Sequence, residues 1–392
     1  MERHRFNRLD GTDRMSSARD EIKTLIQGVG KYDLQNENCQ GMNAYAFSAR
    51  HIPLNKNVFL KIYDACSERV DLFEEPRFLV EATNGNSNGS NYLVNVLDAE
   101  RLSDNWILVA MEHVDGGSLL DRLSHEPLPL MDAINVTKDI LLGVSHLHSA
   151  SLIHRDIKPA NVMLTTFNNR LHPKLGDFGS VARIATPDTT VPASRHSALY
   201  VPPEGWQQPS TFGIRSDIYQ IGLIFAELIN GHLPYEEEPY LDRVAKSEMH
   251  QLGATSLSGL NGWNRCRIVD DAIARRAASK KILSLVPDQP YVNRALKQVI
   301  NSATTPDYDA RYHSANDMLN ALNNLHYPNW KIQNGSFLAV NWNGWDWIVE
   351  TMSPRSSTEI HIKRSRTGSN KFRCWDIEKT LIDAFAKVLR EG

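Results

Sequence analysis

Two carboxylates, an amide and two lysines stand in this sequence at spacings that phosphoryl chemistry can use. Asp156 is followed by Lys158 and then Asn161 within the run His154-Arg155-Asp156-Ile157-Lys158-Pro159-Ala160-Asn161. A second acid opens Asp177-Phe178-Gly179, after two short strand-like stretches. Moving a phosphoryl group demands little covalent chemistry; it needs a positioned nucleophile and neutralised phosphate charge. An acid can take the proton of an attacking hydroxyl, and an amide with a carboxylate can ligate a hard divalent cation. Taken singly, Asp156 or Asp177 is a cap or turn residue, and Lys61 a solvated strand lysine. The order of the motifs and the strand hairpin between them set them apart.

These residues need a scaffold, and the periodicities supply one. Residues 17–27 predict a short helix with Ile22, Leu25 and Ile26 as its apolar stripe. Residues 43–49 and 58–63 alternate as strands around a Pro/Asn turn at 53–57, and 92–114 give two more strands. After Gly116-Gly117 the pattern turns helical, most clearly over 131–148 and 217–230. The class is α+β, a β-rich small half followed by a helical large half. With 392 residues, 41% of them hydrophobic, the chain can bury two or three structural units. A formal net charge of −3 points to no polyanionic partner. Cys39, Cys66, Cys266 and Cys374 have neither metal-type nor disulfide-framework spacing, so a reducing, cytoplasmic setting is expected. Residues 1–14 lack an apolar core of signal type, and the most apolar stretch, 221–229, is short and interrupted by Glu227, so no membrane span is expected.

With these motifs in this order, residues 30–327 resemble the eukaryotic-like serine/threonine protein kinases. The resemblance implies a bilobal protein kinase fold with a β-rich N-lobe over 30–115 and a helical C-lobe over 116–327. An N-terminal arm, 1–29, precedes it, and a Trp-rich α+β module, 328–392, follows. It implies ATP and Mg²⁺, transfer to Ser/Thr hydroxyls of protein substrates, and autophosphorylation. Asp156 is then the catalytic acid that orients the hydroxyl and accepts its proton, with Lys158 beside it, and Asn161 and Asp177 are the metal ligands. Lys61 holds the α- and β-phosphates, and Glu81 is its helix partner. Ala46, Phe59, Met111 and Met163 line the adenine pocket, with Met111 as gatekeeper and Glu112 to Val114 offering backbone to adenine. Pro202-Pro203-Glu204 closes the activation segment and pairs with Arg311; Asp217 and Gly222 lie on the helix that braces the catalytic loop. Lys158-Pro159 and Ser197 match the Ser/Thr branch. Arg155 is expected to receive a phosphate from Thr186, Thr189, Thr190 or Ser194.

The match has departures. Of three phosphate-loop glycines only Gly41 remains, in the run Cys39 to Phe47. Phe59 replaces a small residue and Ala46 a valine, which predicts reciprocal packing around adenine. Asn84 to Asn91 are poor helix formers, so the helix of Glu81 is predicted to end early. A pseudokinase scaffold with a nucleotide-binding regulatory role is the alternative, supported by the reduced glycine loop. A small-molecule kinase lacks Lys158-Pro159 and the Glu204–Arg311 lock. In the last segment, five of eight tryptophans cluster; Trp345, Trp347 and Val349 alternate, as do Ile360 and Ile362, and 371–375 form a third run. Asp376 is predicted to cap a helix with Ile377, Leu381, Phe385 and Val388 on one face. Lys363, Arg364, Arg366, Lys371 and Arg373 gather at one hairpin. The module is expected to recognise a partner or substrate, a nucleic acid being the less favoured choice.

Overall fold

The computed structural model describes residues 11–38, 44–64, 77–78, 80, 91–123, 127–168, 170–194, 197–352, 359–369 and 371–391. The chain divides into two compact units at Asp115/Gly116.

In the first unit, α1 (Gly11–Val29) precedes β1 (Tyr32–Asn38), β2 (Ala44–His51), β3 (Lys56–Asp64), β4 (Val96–Arg101) and β5 (Trp106–Glu112). The strands form one antiparallel sheet in the order β1-β2-β3-β5-β4. Alternation sends Phe47, Ala49, Val58, Leu60, Ile62, Leu108 and Ala110 to a common core with Ile22 and Ile26 of α1. The predicted stripe therefore packs, and α1 runs beyond 17–27 at both ends. Ile22 and Ile26 are fully buried, and each contributes roughly 1.5–3 kcal/mol of apolar transfer. At the margin, Lys31 reaches Asp98 (3.0 Å) and Glu100 (3.3 Å).

The second unit opens with α2 (Leu119–Leu123) and α3 (Leu130–Ser149), then β6 (Leu152–Ile153), β7 (Val162–Phe167), β8 (Arg170–Leu175), β9 (Ala182–Arg183), β10 (Val191–Pro192) and β11 (Thr211–Phe212). Helices α4 (Ile214–Asn230), α5 (Arg243–Gln251), α6 (Gly262–Ala278), α7 (Arg294–Ala303) and α8 (Ala315–Asn323) follow. Gly222 lets α4 touch α7: a Cβ there would lie 2.7 Å from that of Ala303. The short strands pair as β6-β9, β7-β8 and β10-β11, pinning the loops between them.

A five-stranded antiparallel meander completes the unit: β12 (Trp330–Gln333), β13 (Ser336–Trp342), β14 (Trp345–Met352), β15 (Glu359–Arg366) and β16 (Arg373–Glu378). Helix α9 (Leu381–Glu391) lies on one face, with Phe385 edge-on to Trp330 (4.8 Å) and Phe337 (5.0 Å). Trp347, Val349, Ile360, Ile362, Ala384 and Val388 are buried. β12 and β13 were not anticipated, although Asn334-Gly335, both at positive φ, is a hairpin turn pair. The predicted helix cap at Asp376 is corrected. Asp376, Ile377 and Glu378 pair with Ile362, His361 and Ile360, so the sheet ladder claims them, and Ile377 is exposed. Thr380 caps instead, its Oγ1 accepting from Asp383 N (3.1 Å) and donating to Asp383 Oδ2 (2.6 Å). Asn329 Oδ1 accepts from Met131 N of α3 (3.0 Å), and Tyr291 meets Phe337 and Phe385 edge-on, joining this sheet to the helices. Among the described residues no helix is long and apolar enough to cross a membrane.

Candidate active site

The loop after β6 is held from below by α4. Arg155 has φ +68°, a left-handed conformation that costs energy for a residue with a Cβ. Asp217, fully buried, fixes it by accepting from the backbone N–H of His154 (2.9 Å) and of Arg155 (2.9 Å) while also meeting His148 Nε2 (2.9 Å). Burial alone would raise the Asp217 pKa; the hydrogen bond and charge of His148, with His154, outweigh it and hold the carboxyl below its usual value. Three residues along α4, Gln220 accepts from Ile157 N (2.9 Å) and donates to Tyr200 O (3.2 Å).

Asp156 is buried, and its Oδ2 receives Lys158 Nζ (2.8 Å) and Asn161 Nδ2 (3.2 Å). Its Oδ1 has no hydrogen-bond partner among the described residues. Lys158 also donates to Ser197 Oγ (2.6 Å), so Asp156, Lys158, Asn161 and Ser197 form one network. Asn161 Nδ2 donates to Asp156 O (2.8 Å), which leaves its amide oxygen as an acceptor. The fully buried His154 ties this loop to the second acidic motif. Asp156 N donates to its Nδ1 (3.3 Å), so Nε2 carries the proton and donates to Gly176 O (3.0 Å). Gly176 N in turn donates to Asn161 O (2.8 Å). The next residue, Asp177, has φ +54°, and Phe178 is buried 5.4 Å from the His154 ring. Met163 bridges to Ser118, beside Gly116, where a Cβ would collide with Leu164 O at 2.2 Å.

In the first unit Ala46, Phe59, Lys61 and Met111 share the sheet face opposite α1. Lys61 pairs in register with Ala46 and Val109, and Phe59 pairs with Ser48 and Met111. Ala46 is thus a diagonal neighbour of Phe59. Glu112 donates its N–H to Asn95 O (2.9 Å) and accepts through its side chain from Asn95 N (2.8 Å). Val114 follows the end of β5 and is partly buried. Gly41 and Glu81 lie outside the described residues, as does most of the Asn84 to Asn91 tract.

Around the segment after Asp177, Arg155 donates through Nε to Ser180 O (2.5 Å) and through a terminal nitrogen to Pro192 O (2.6 Å). Ser194 Oγ donates to Ser180 Oγ (3.2 Å), and the hydroxyls of Thr186 and Thr189 lie 2.8 Å apart. Glu204 receives a bidentate pair from the buried Arg311 (2.8 and 2.7 Å), with Ser216 adding a third bond (2.6 Å). Sequence reasoning missed His148, Gln220, Ser216 and the pair Tyr200–Glu227 (2.8 Å). Burial pushes Glu227 up to about 7. The available signal for Gln220 was its place one turn beyond Asp217 on the same helix face.

A family model described as the protein kinase domain matches residues 32–326. The chain belongs to the protein kinase family. The β-sheet unit and the helical unit are the two parts of its α+β fold, and the serine/threonine kinases are its similar proteins. The serine/threonine-protein kinase PknB of Mycobacterium leprae is 33% identical over 197 residues, 48% of this chain and 30% of that protein. PrkC of Bacillus subtilis is 27% identical over 293 residues, 74% of this chain and 39% of that protein. Nek3 of Mus musculus is 31% identical over 166 residues, covering 41% and 32%. This kinase-family chain thus spans well under half the length of these relatives.

Proposed function

We propose that the chain is an ATP-dependent serine/threonine protein kinase, acting in the cytoplasm on protein substrates and on itself. What carries this is the network of Asp156, Lys158, Asn161 and Ser197, with one carboxylate oxygen of Asp156 unengaged. That oxygen orients the substrate hydroxyl and takes its proton as the hydroxyl oxygen bonds to the γ-phosphorus. The bond from the γ-phosphorus to the β-phosphate oxygen breaks, and ADP leaves. Lys158, held between Asp156 and Ser197, lends positive charge where the transferred group passes. Lys61 holds the α- and β-phosphates, with Glu81 as its partner and Gly41 in the phosphate loop. Ala46, Phe59, Met111 and Met163 pack on adenine, and Glu112 to Val114 offer backbone to its edge.

The amide oxygen of Asn161 and the carboxylate of Asp177 are hard oxygen donors of the kind Mg²⁺ takes, so these residues fit the ion. When bound, it would neutralise phosphate charge. Residues 30–327 are the kinase domain in this scheme, and 328–392 are an appended module that positions a partner.

The test is transfer of labelled phosphate from Mg-ATP to a generic basic protein. Asp156→Asn should lower the rate on the order of 10²-fold or more with nucleotide affinity nearly intact, whereas Asp177→Asn should weaken metal-dependent nucleotide binding. Retention of more than about a tenth of the wild-type rate by both variants would refute these assignments.

A further inference from the structure

One corner of the C-terminal sheet gathers arginines beside tryptophans. In register, Trp345 pairs with Arg366, Trp347 with Arg364, and Arg364 with Arg373 of the next strand. The Arg364 guanidinium carbon lies 4.4 Å from the Trp345 ring centre and 4.8 Å from that of Trp375. Arg366 lies 4.1 Å from Trp345. Each guanidinium thus lies over an indole ring, a contact that favours the cation without neutralising its charge. Nearby lysines behave otherwise: Lys363 pairs with Glu350, and Lys387 with Asp376 and Glu378. Among the described residues, Arg364, Arg366 and Arg373 pair with no carboxylate. Like charges directly opposite across strands repel. The Arg364/Arg373 pair is nonetheless kept, with exposed Arg366 and Lys371 alongside.

We propose that Arg364, Arg366 and Arg373 form a docking site for a phosphomonoester carried by a protein, so that the module presents already phosphorylated substrates to the kinase domain. The inference rests on the kinase function proposed above, whose product is such a phosphoprotein. A phosphomonoester carries about −1.5 to −2 charges at neutral pH and three acceptor oxygens, enough to relieve a pair of facing arginines. A nucleic-acid strand offers single-charge diesters and gains most from open aromatic faces. Here the Trp345 and Trp375 rings already have guanidinium partners.

The full-length chain is titrated, by fluorescence anisotropy, into a phosphoserine peptide, its unphosphorylated twin and a single-stranded oligonucleotide. The phosphopeptide should bind at least about tenfold tighter than its twin. Its affinity should fall between pH 7.5 and 5.5, as the phosphate takes its second proton near pH 6. Arg366→Gln and Arg373→Gln, which spare the sandwiched Arg364, should each weaken it about tenfold. Both should leave the melting temperature and the phosphorylation of an unphosphorylated basic protein unchanged. Equal affinity for both peptides, tighter binding of the oligonucleotide, or indifference to both substitutions overturns the proposal. Because the generic substrate bypasses the site, each of these results leaves the kinase reading standing; a chain that binds phosphopeptide but transfers no phosphate removes that reading alone.

Discussion

Each unit contains a five-stranded antiparallel sheet crossed by one amphipathic helix, yet the two sheets expose chemistry differently. In β1–β5, α1 takes the face of Leu60 and Ile62, and alternation delivers Lys61, Phe59 and Ala46 to the other face. In β12–β16, α9 and the arginines share a face: Arg364 pairs with Trp347, which is buried beside α9, and the stack occupies the end of that face. A sheet needs one covered face for stability. The first sheet sets Lys61 on its opposite face, among the buried apolar Ala46, Val109 and Met111, whereas the second keeps its arginines at the rim of the covered one. Substitutions should therefore separate activity from stability cleanly in the first sheet and less cleanly in the second.

The largest effect is expected at Lys61. Lys61→Met should lower phosphotransfer by about 10²-fold or more while the melting temperature barely moves, since losing an electrostatic donor costs about that much. A large thermal shift would show that the Lys61 face is structural, which breaks the comparison. Next come the helix anchors, read by denaturant unfolding. Phe385→Ala should cost about 3–5 kcal/mol and Ile26→Ala about 2–5 kcal/mol. A negligible loss at Ile26 would mean that α1 is dispensable to its sheet. Thr380→Ala, which removes the cap of α9, should cost about 1 kcal/mol. The smallest shift belongs to Arg366→Gln, within about 0.5 kcal/mol in stability because the side chain is exposed and its contact with Trp345 lies at the surface. A loss comparable to that of Phe385→Ala would make the stack a piece of the core.

The strand pattern around Lys61 and the helices over α3 and α4 were legible because period-two and period-3.6 alternation are local properties of the chain. Ile377 shows where this fails. Its spacing to Leu381 and Phe385 suits a helix, but backbone pairing with His361 places it in β16, and no count of apolar spacing contains that partner. β12 and β13 were hidden for local reasons: β12 alternates over only four residues, and in β13 Phe337, Leu338, Ala339 and Val340 run together, so alternation is lost.

By itself the sequence determined the parts that lie within a few residues of one another. Asp156, Lys158 and Asn161 share one loop, and the hydrogen bonds joining them span two to five positions, so spacing sufficed. Only the tertiary structure decided what fixes that loop. Asp217 reaches the amides of His154 and Arg155 across 63 and 62 positions, and Arg311 reaches Glu204 across 107. The Arg364 sandwich likewise unites β14, β15 and β16. Such contacts depend on strand register and on which helix face turns inward, and both are settled by packing the whole core rather than by any local run of residues.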